Sequence, residues 1–145
     1  MIETTYSVML RFWSPRRSPD EISTALQIDP ERCWNQGASR NTPQGTPLAG
    51  RHKDSYWMAT LIERAPYELS LSKAVEKQLN LLDDKRDFLR GFVEDGGRSE
   101  LYIGWHSEPG GGGDVFEYPL LARIADLRLN FAFEVFSHQR SPEAR

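Results

Sequence analysis

An arginine, a histidine and a carboxylate on one surface can do acid–base work, and Arg11, His106 and Glu134 are the set offered here. All three sit on the same side of strand-like stretches, so they share one face of a sheet. Ordinary cross-strand pairing of Arg11 with Glu134 accounts for two of them without catalysis, and this is the preferred reading. Cys33 has only Arg32 as a nearby charge and no base beside it, so it reads as a small packed residue, not a nucleophile. The four glycines at 110–113 are followed by no helix-opening phosphate motif and read as a flexible turn. His106, Glu108 and Asp114 lack a second histidine at zinc spacing. The expectation is therefore no catalytic residues, no metal ligands and no cofactor.

Binding is the chemistry that remains. Residues 35–56 form a long polar insert with three Gly, two Pro and many Ser, Thr, Asn and Gln, without hydrophobic period. Connections this long are rare in compact domains and usually serve function or are disordered. A tryptophan stands near each end, Trp34 and Trp57, and either can anchor the insert on the core or contact a ligand. Asn35, Arg40, Arg51 and His52 are its candidate polar contacts, and Arg11, Trp13, His106 and Glu134 those of the sheet face. Arg40, Arg51 and Lys53 against Asp54 make the insert +2, within a chain of net charge −3. That bias is too small for a nucleic-acid footprint.

These residues need elements to position them. Residues 5–13 alternate, with Tyr6, Val8, Leu10 and Phe12 on one side and Met9, Arg11 and Trp13 on the other, which predicts a strand with one buried face. Ser18-Pro19-Asp20-Glu21 is a capping box with proline at the first helical position, opening a helix that stops before Pro30. A second strand covers residues 55–62, with Trp57, Ala59 and Leu61 on one face. From Ser70, Leu71, Val75, Leu79 and Leu82 form a helical stripe that Phe88, Leu89, Phe92 and Val93 resume, ending at Gly96-Gly97. Residues 101–106 predict a strand, 115–118 a short one, and Pro119 opens a helix. The last strand, 129–136, carries Leu129, Phe131, Phe133 and Val135 inward. Together these predict an α+β domain over residues 1–137. Its helices cover one face of a mostly antiparallel sheet in two pseudo-repeated strand–helix–strand halves, a ferredoxin-like arrangement. Residues 138–145 read as a disordered tail.

The order Tyr6, Ser18-Pro19-Asp20-Glu21-Ile22, Leu26-Gln27-Ile28-Asp29-Pro30, Trp34-Asn35-Gln36-Gly37 and Trp57 resembles the bacterial domain of unknown function 4279 family. Leu101-Tyr102-Ile103 and Ile124-Ala125-Asp126-Leu127 extend the resemblance over nearly the whole chain. The family pattern tends to end in an Asp-aliphatic-Tyr strand, where this chain has Glu134-Val135-Phe136. The family has no established activity, so the resemblance implies a fold and a bacterial, cytoplasmic setting.

Composition agrees with a soluble domain: 39% hydrophobic, 27% charged, and one cysteine, which fits a reducing compartment. No basic n-region with a long apolar run opens the sequence, so no signal peptide is expected, and no stretch is long enough to span a membrane. The sequence thus predicts a cytoplasmic, non-catalytic interaction module contacting a protein partner or small ligand through the insert and the open sheet face. The alternative is a small hydrolase or ligand-binding enzyme using Arg11, His106 and Glu134. Trp13, Tyr102 and Phe136 on that face also suggest a homodimer in which Arg11 of one copy meets Glu134 of the other.

Overall fold

The computed structural model describes residues 3–137. The strong alternation of the first stretch becomes β1 (Thr5–Ser14), which has Tyr6, Val8, Leu10 and Phe12 fully buried. Ser18 caps α1 (Pro19–Leu26): its hydroxyl accepts from the Glu21 N–H, while the Glu21 carboxylate accepts from the Ser18 N–H. Then follow β2 (Arg32–Trp34), β3 (Ser39–Asn41), β4 (Pro47–Arg51) and the long β5 (Ser55–Pro66). The leucine stripe becomes α2 (Leu71–Leu82), and a 3-10 turn at Asp83–Lys85 leads into α3 (Arg86–Glu94). β6 (Arg98–Ser107), α4 (Tyr118–Asp126) and β7 (Leu129–Ser137) complete the chain. The tail at 138–145 lies outside the described residues.

A five-stranded sheet in the order β2-β5-β1-β6-β7 carries the domain, and β3 and β4 form a separate two-stranded ribbon. Every pairing in the large sheet is antiparallel except that of β6 with β7. One hydrophobic core joins β1, Trp57 and Ala59 of β5, and Leu101, Ile103 and Trp105 of β6 to the inner stripes of α1–α4. The predicted α+β layering is present. The two strand–helix–strand halves read from the sequence are paired differently. In the second half β6 and β7 are joined by α4 and lie parallel, whereas β1 and β5 of the first half are direct antiparallel neighbours.

Three further expectations change. Residues 115–118 form no strand; Val115 and Tyr118 are exposed and α4 begins at Tyr118. Cys33 is exposed on β2 and not packed. On β7 only Leu129 is buried, while Phe131, Phe133 and Val135 are 38%, 49% and 57% exposed. Their parity is as predicted, on the side of Leu101, Ile103 and Trp105, but α4 buries only Leu120 and Ile124 and leaves the outer half of the strand uncovered.

Two tight contacts hold the helical layer. Arg86 and Arg90 of α3 both bond the Asp126 carboxylate at the end of α4, at 2.7 to 3.0 Å. The Arg86 guanidinium holds that carboxyl below its ordinary value. The loop before α4 is tied to the start of α2: the Asp114 carboxylate accepts from the Ser72 N–H and hydroxyl, and Tyr67 donates to the Gly113 carbonyl.

Candidate functional site

The face opposite the helices carries alternate residues of each strand, and their rings form a row across it. Trp34 of β2 stacks on Tyr56 of β5 with centroids 4.5 Å apart, and Tyr56 meets Trp13 of β1 at 5.4 Å. Guanidinium groups continue the row. Arg98, opposite Trp13 in the β1–β6 register, lies 4.1 Å from its ring, and Arg11 lies 5.0 Å from Trp13 and 4.7 Å from Tyr102. Arg32 stands 5.2 Å from the Trp34 ring. Such contacts contribute about 0.5–1 kcal/mol each when exposed and more when shielded from water. The Tyr102 hydroxyl donates to the Glu134 carboxylate, closing the row at β7. Burial of Tyr102, then this bond and the Glu134 charge, push its phenol up to about 12.

The polar insert is an ordered ribbon attached to the same row. β3 and β4 turn through Thr42–Thr46, whose backbone and hydroxyl bonds close the tip. Its strands have almost no buried side chains, so arginines do the fastening. Arg40 donates to the Ala49 carbonyl and Arg51 to the Gly37 carbonyl. At its base His52 stacks on Trp34 at 4.0 Å and 17° between planes, and the Trp34 indole N–H donates to the Asp54 carbonyl. Asn35 is exposed beside it, its carbonyl accepting from Ala38.

The structure separates the three residues suited to acid–base work. Arg11 faces Glu100 on β6, with Nε 3.1 Å from Oε1, both atoms buried but not aligned as a hydrogen bond. His106 lies six positions further along β6, about 20 Å away at strand spacing, and stacks on Phe136. Glu134 is engaged by Tyr102. Arg11 and His106 therefore do not share a site, and the Glu134 carboxylate accepts from Tyr102 between them along the sheet. Arg11 and Glu134, expected as a pair, each have a different partner within the chain. Trp57 also leaves the list of contact residues: it is fully buried, edge-on to Phe12, and its indole N–H donates to Ser23.

The sequence model of a protein family, described as Domain of unknown function (DUF4279), matches residues 3–137, nearly the whole chain. The chain belongs to the DUF4279 family. No curated protein and no solved structure matches it.

Several residues of this DUF4279 site escaped the sequence reading. Tyr56 is the centre of the row, and the signal for it was its parity, opposite to buried Trp57. Arg32 and Arg98 stand at the starts of their strands and are placed over the tryptophans only by the register of the sheet. The arrangement offers stacking surface and guanidinium donors in a row. Among the described residues no group of three or more His, Cys, Asp or Glu is placed to hold a metal ion, and no helix is long and apolar enough to cross a membrane.

Proposed function

We propose that this DUF4279 domain is a non-catalytic interaction module whose partner protein seats on the open sheet face and the β3–β4 ribbon together. The supporting observation is the continuity of the ring row: His52, Trp34, Tyr56 and Trp13 join ribbon and sheet into one surface. Aromatic and arginine side chains are the residue types that supply interface hot spots. Around the row, Arg32, Arg98, Arg40 and Arg51 are exposed, whereas Glu100 and Glu134 are engaged by Arg11 and Tyr102. The surface therefore suits a partner presenting carboxylates among apolar groups, within a chain that is acidic overall. Arginine favours such a role because its planar group stacks on rings and still donates to carboxylates.

The test is affinity capture from lysate of the native host with the wild type and with Trp34→Ala and Arg98→Glu variants, read by quantitative mass spectrometry. A protein retained in stoichiometric amount by the wild type and lost from both variants supports the reading. Equal retention by all three sinks it.

A further inference from the structure

The two edges of the sheet are finished differently. The β2 edge is three residues long and runs into the β3–β4 ribbon. The β7 edge is nine residues long, pairs with β6 in unbroken register from Leu129 to Ser137, and has no strand on its outer side among the described residues. Proteins normally blunt such an edge with lysine, proline, a bulge or a covering element. Among the described residues β7 has none of these devices, and its one charge, Glu134, is held by Tyr102. On the helix side Phe131, Phe133 and Val135 stand exposed over a groove of about 290 Å³, whose floor includes Leu71, Trp105 and Phe116.

We infer that β7 pairs antiparallel with β7 of a second copy of this chain, making a continuous ten-stranded sheet. A two-fold axis through Phe133, normal to the sheet, pairs the full length of both strands. In that register Phe133 faces Phe133, and Phe131 faces Val135 of the second copy, so six apolar side chains form one stripe across the two grooves. Cross-strand aromatic and β-branched pairs of this kind are favourable. On the other face each Glu134 lies opposite Ala132, and no like charges meet. An axis at Glu134 would set the two carboxylates against each other, which selects against that alternative. With aromatic side chains burying ~150–250 Å² each, the exposed parts of Phe131, Phe133, Phe136 and Val135 offer about 350 Å² per copy. A standard interface takes ~800 Å² per partner. The new backbone ladder and the groove mouths add to the side-chain area, which gives a concentration-dependent dimer. This inference is independent of the interaction reading, since the axis leaves both open faces uncovered on the same side of the joined sheet.

Light scattering coupled to chromatography over a concentration series reads the result. The wild-type mass should climb from 16.6 kDa toward twice that value. Phe133→Lys should hold the monomer mass throughout while still unfolding cooperatively, because the residue is half-exposed in the single copy. Trp13→Asp should leave the dimer intact. In a Cys33→Ser background, a short bis-maleimide crosslinker, which alkylates one cysteine at each end, should join copies carrying Phe133→Cys. It should not join copies carrying Asn130→Cys, which the register sets about 20 Å apart. A wild type that stays monomeric at high micromolar concentration overturns the inference. So does a dimer indifferent to Phe133→Lys, a dimer broken by Trp13→Asp, or the reverse crosslinking pattern.

Discussion

Trp34 of β2 lies against Tyr56 of β5, ring centroids 4.5 Å apart and planes 29° from parallel. Both belong to the same cross-strand pair, so the stack is a direct product of register. It is also the joint at which the ribbon meets the sheet, because His52 stacks on Trp34 as well.

The ribbon is separable from the core. Within residues 39–50 every side chain is exposed except the half-buried Thr42, and loop length alters closure entropy only logarithmically. Replacing 39–50 with a short Gly/Ser linker should leave the melting temperature within a few degrees and reduce partner capture. Loss of cooperative unfolding would instead make the ribbon part of the fold.

The first helix depends on its cap. Ser18→Ala removes an acceptor used by the Glu21 N–H and should cost about 0.5–2 kcal/mol, whereas Ser18→Gly should cost only a few tenths. Urea titrations that superimpose for all three proteins would contradict this.

Glycine is required at 97 and merely tolerated at 91. A Cβ on Gly97 would stand 2.4 Å from the Phe92 ring and 2.7 Å from the Phe92 carbonyl oxygen, and that ring is fully buried. Gly97→Ala should destabilise by about 1–3 kcal/mol. Gly91 lies inside α3 with open space around it, so Gly91→Ala should stabilise by about 0.5–1 kcal/mol. The two changes of opposite sign in chemical denaturation are the check.

Alkaline stability should be set partly by Tyr102. Its phenol ionises near 10 in the unfolded chain and at about 12 in the folded one. Between those values the unfolded state has released a proton that the folded state keeps. The group's contribution is therefore complete below the unfolded value and is lost as pH rises toward the folded one. Tyr6, Tyr56 and Tyr67 are raised too, chiefly by burial, and act in the same direction. Tyr102→Phe should flatten the fall of the urea midpoint between pH 10 and 12, and parallel curves for variant and wild type would refute the assignment.

Strand parity was the most informative signal in the sequence. It placed Tyr6 to Phe12 inward and Arg11, Trp13, Tyr102 and Glu134 on the opposite face, as found. It also set Trp57 beside Ala59, although the composition of the insert suggested a contact role for that tryptophan. Parity names a side of the sheet but not what covers it, and Phe131, Phe133 and Val135 show the difference. The ribbon was illegible for a related reason: its strands bury nothing, so no apolar alternation marks them, and backbone bonds with Arg40 and Arg51 hold it instead. Arg11 found Glu100 and not Glu134 because β6, not β7, is the neighbour of β1.

The central place of β1 has a consequence for how the chain is made. Its two neighbours begin at Ser55 and Arg98, so the strand synthesised first is the one that waits for partners from both later parts of the sequence. Pairings across such separations slow folding, because closure entropy must be overcome before contacts reward it. Until β5 has left the ribosome, Tyr6, Val8, Leu10 and Phe12 have no strand partner, and until β6 follows one edge of β1 stays open, exposure of the kind that chaperones guard against.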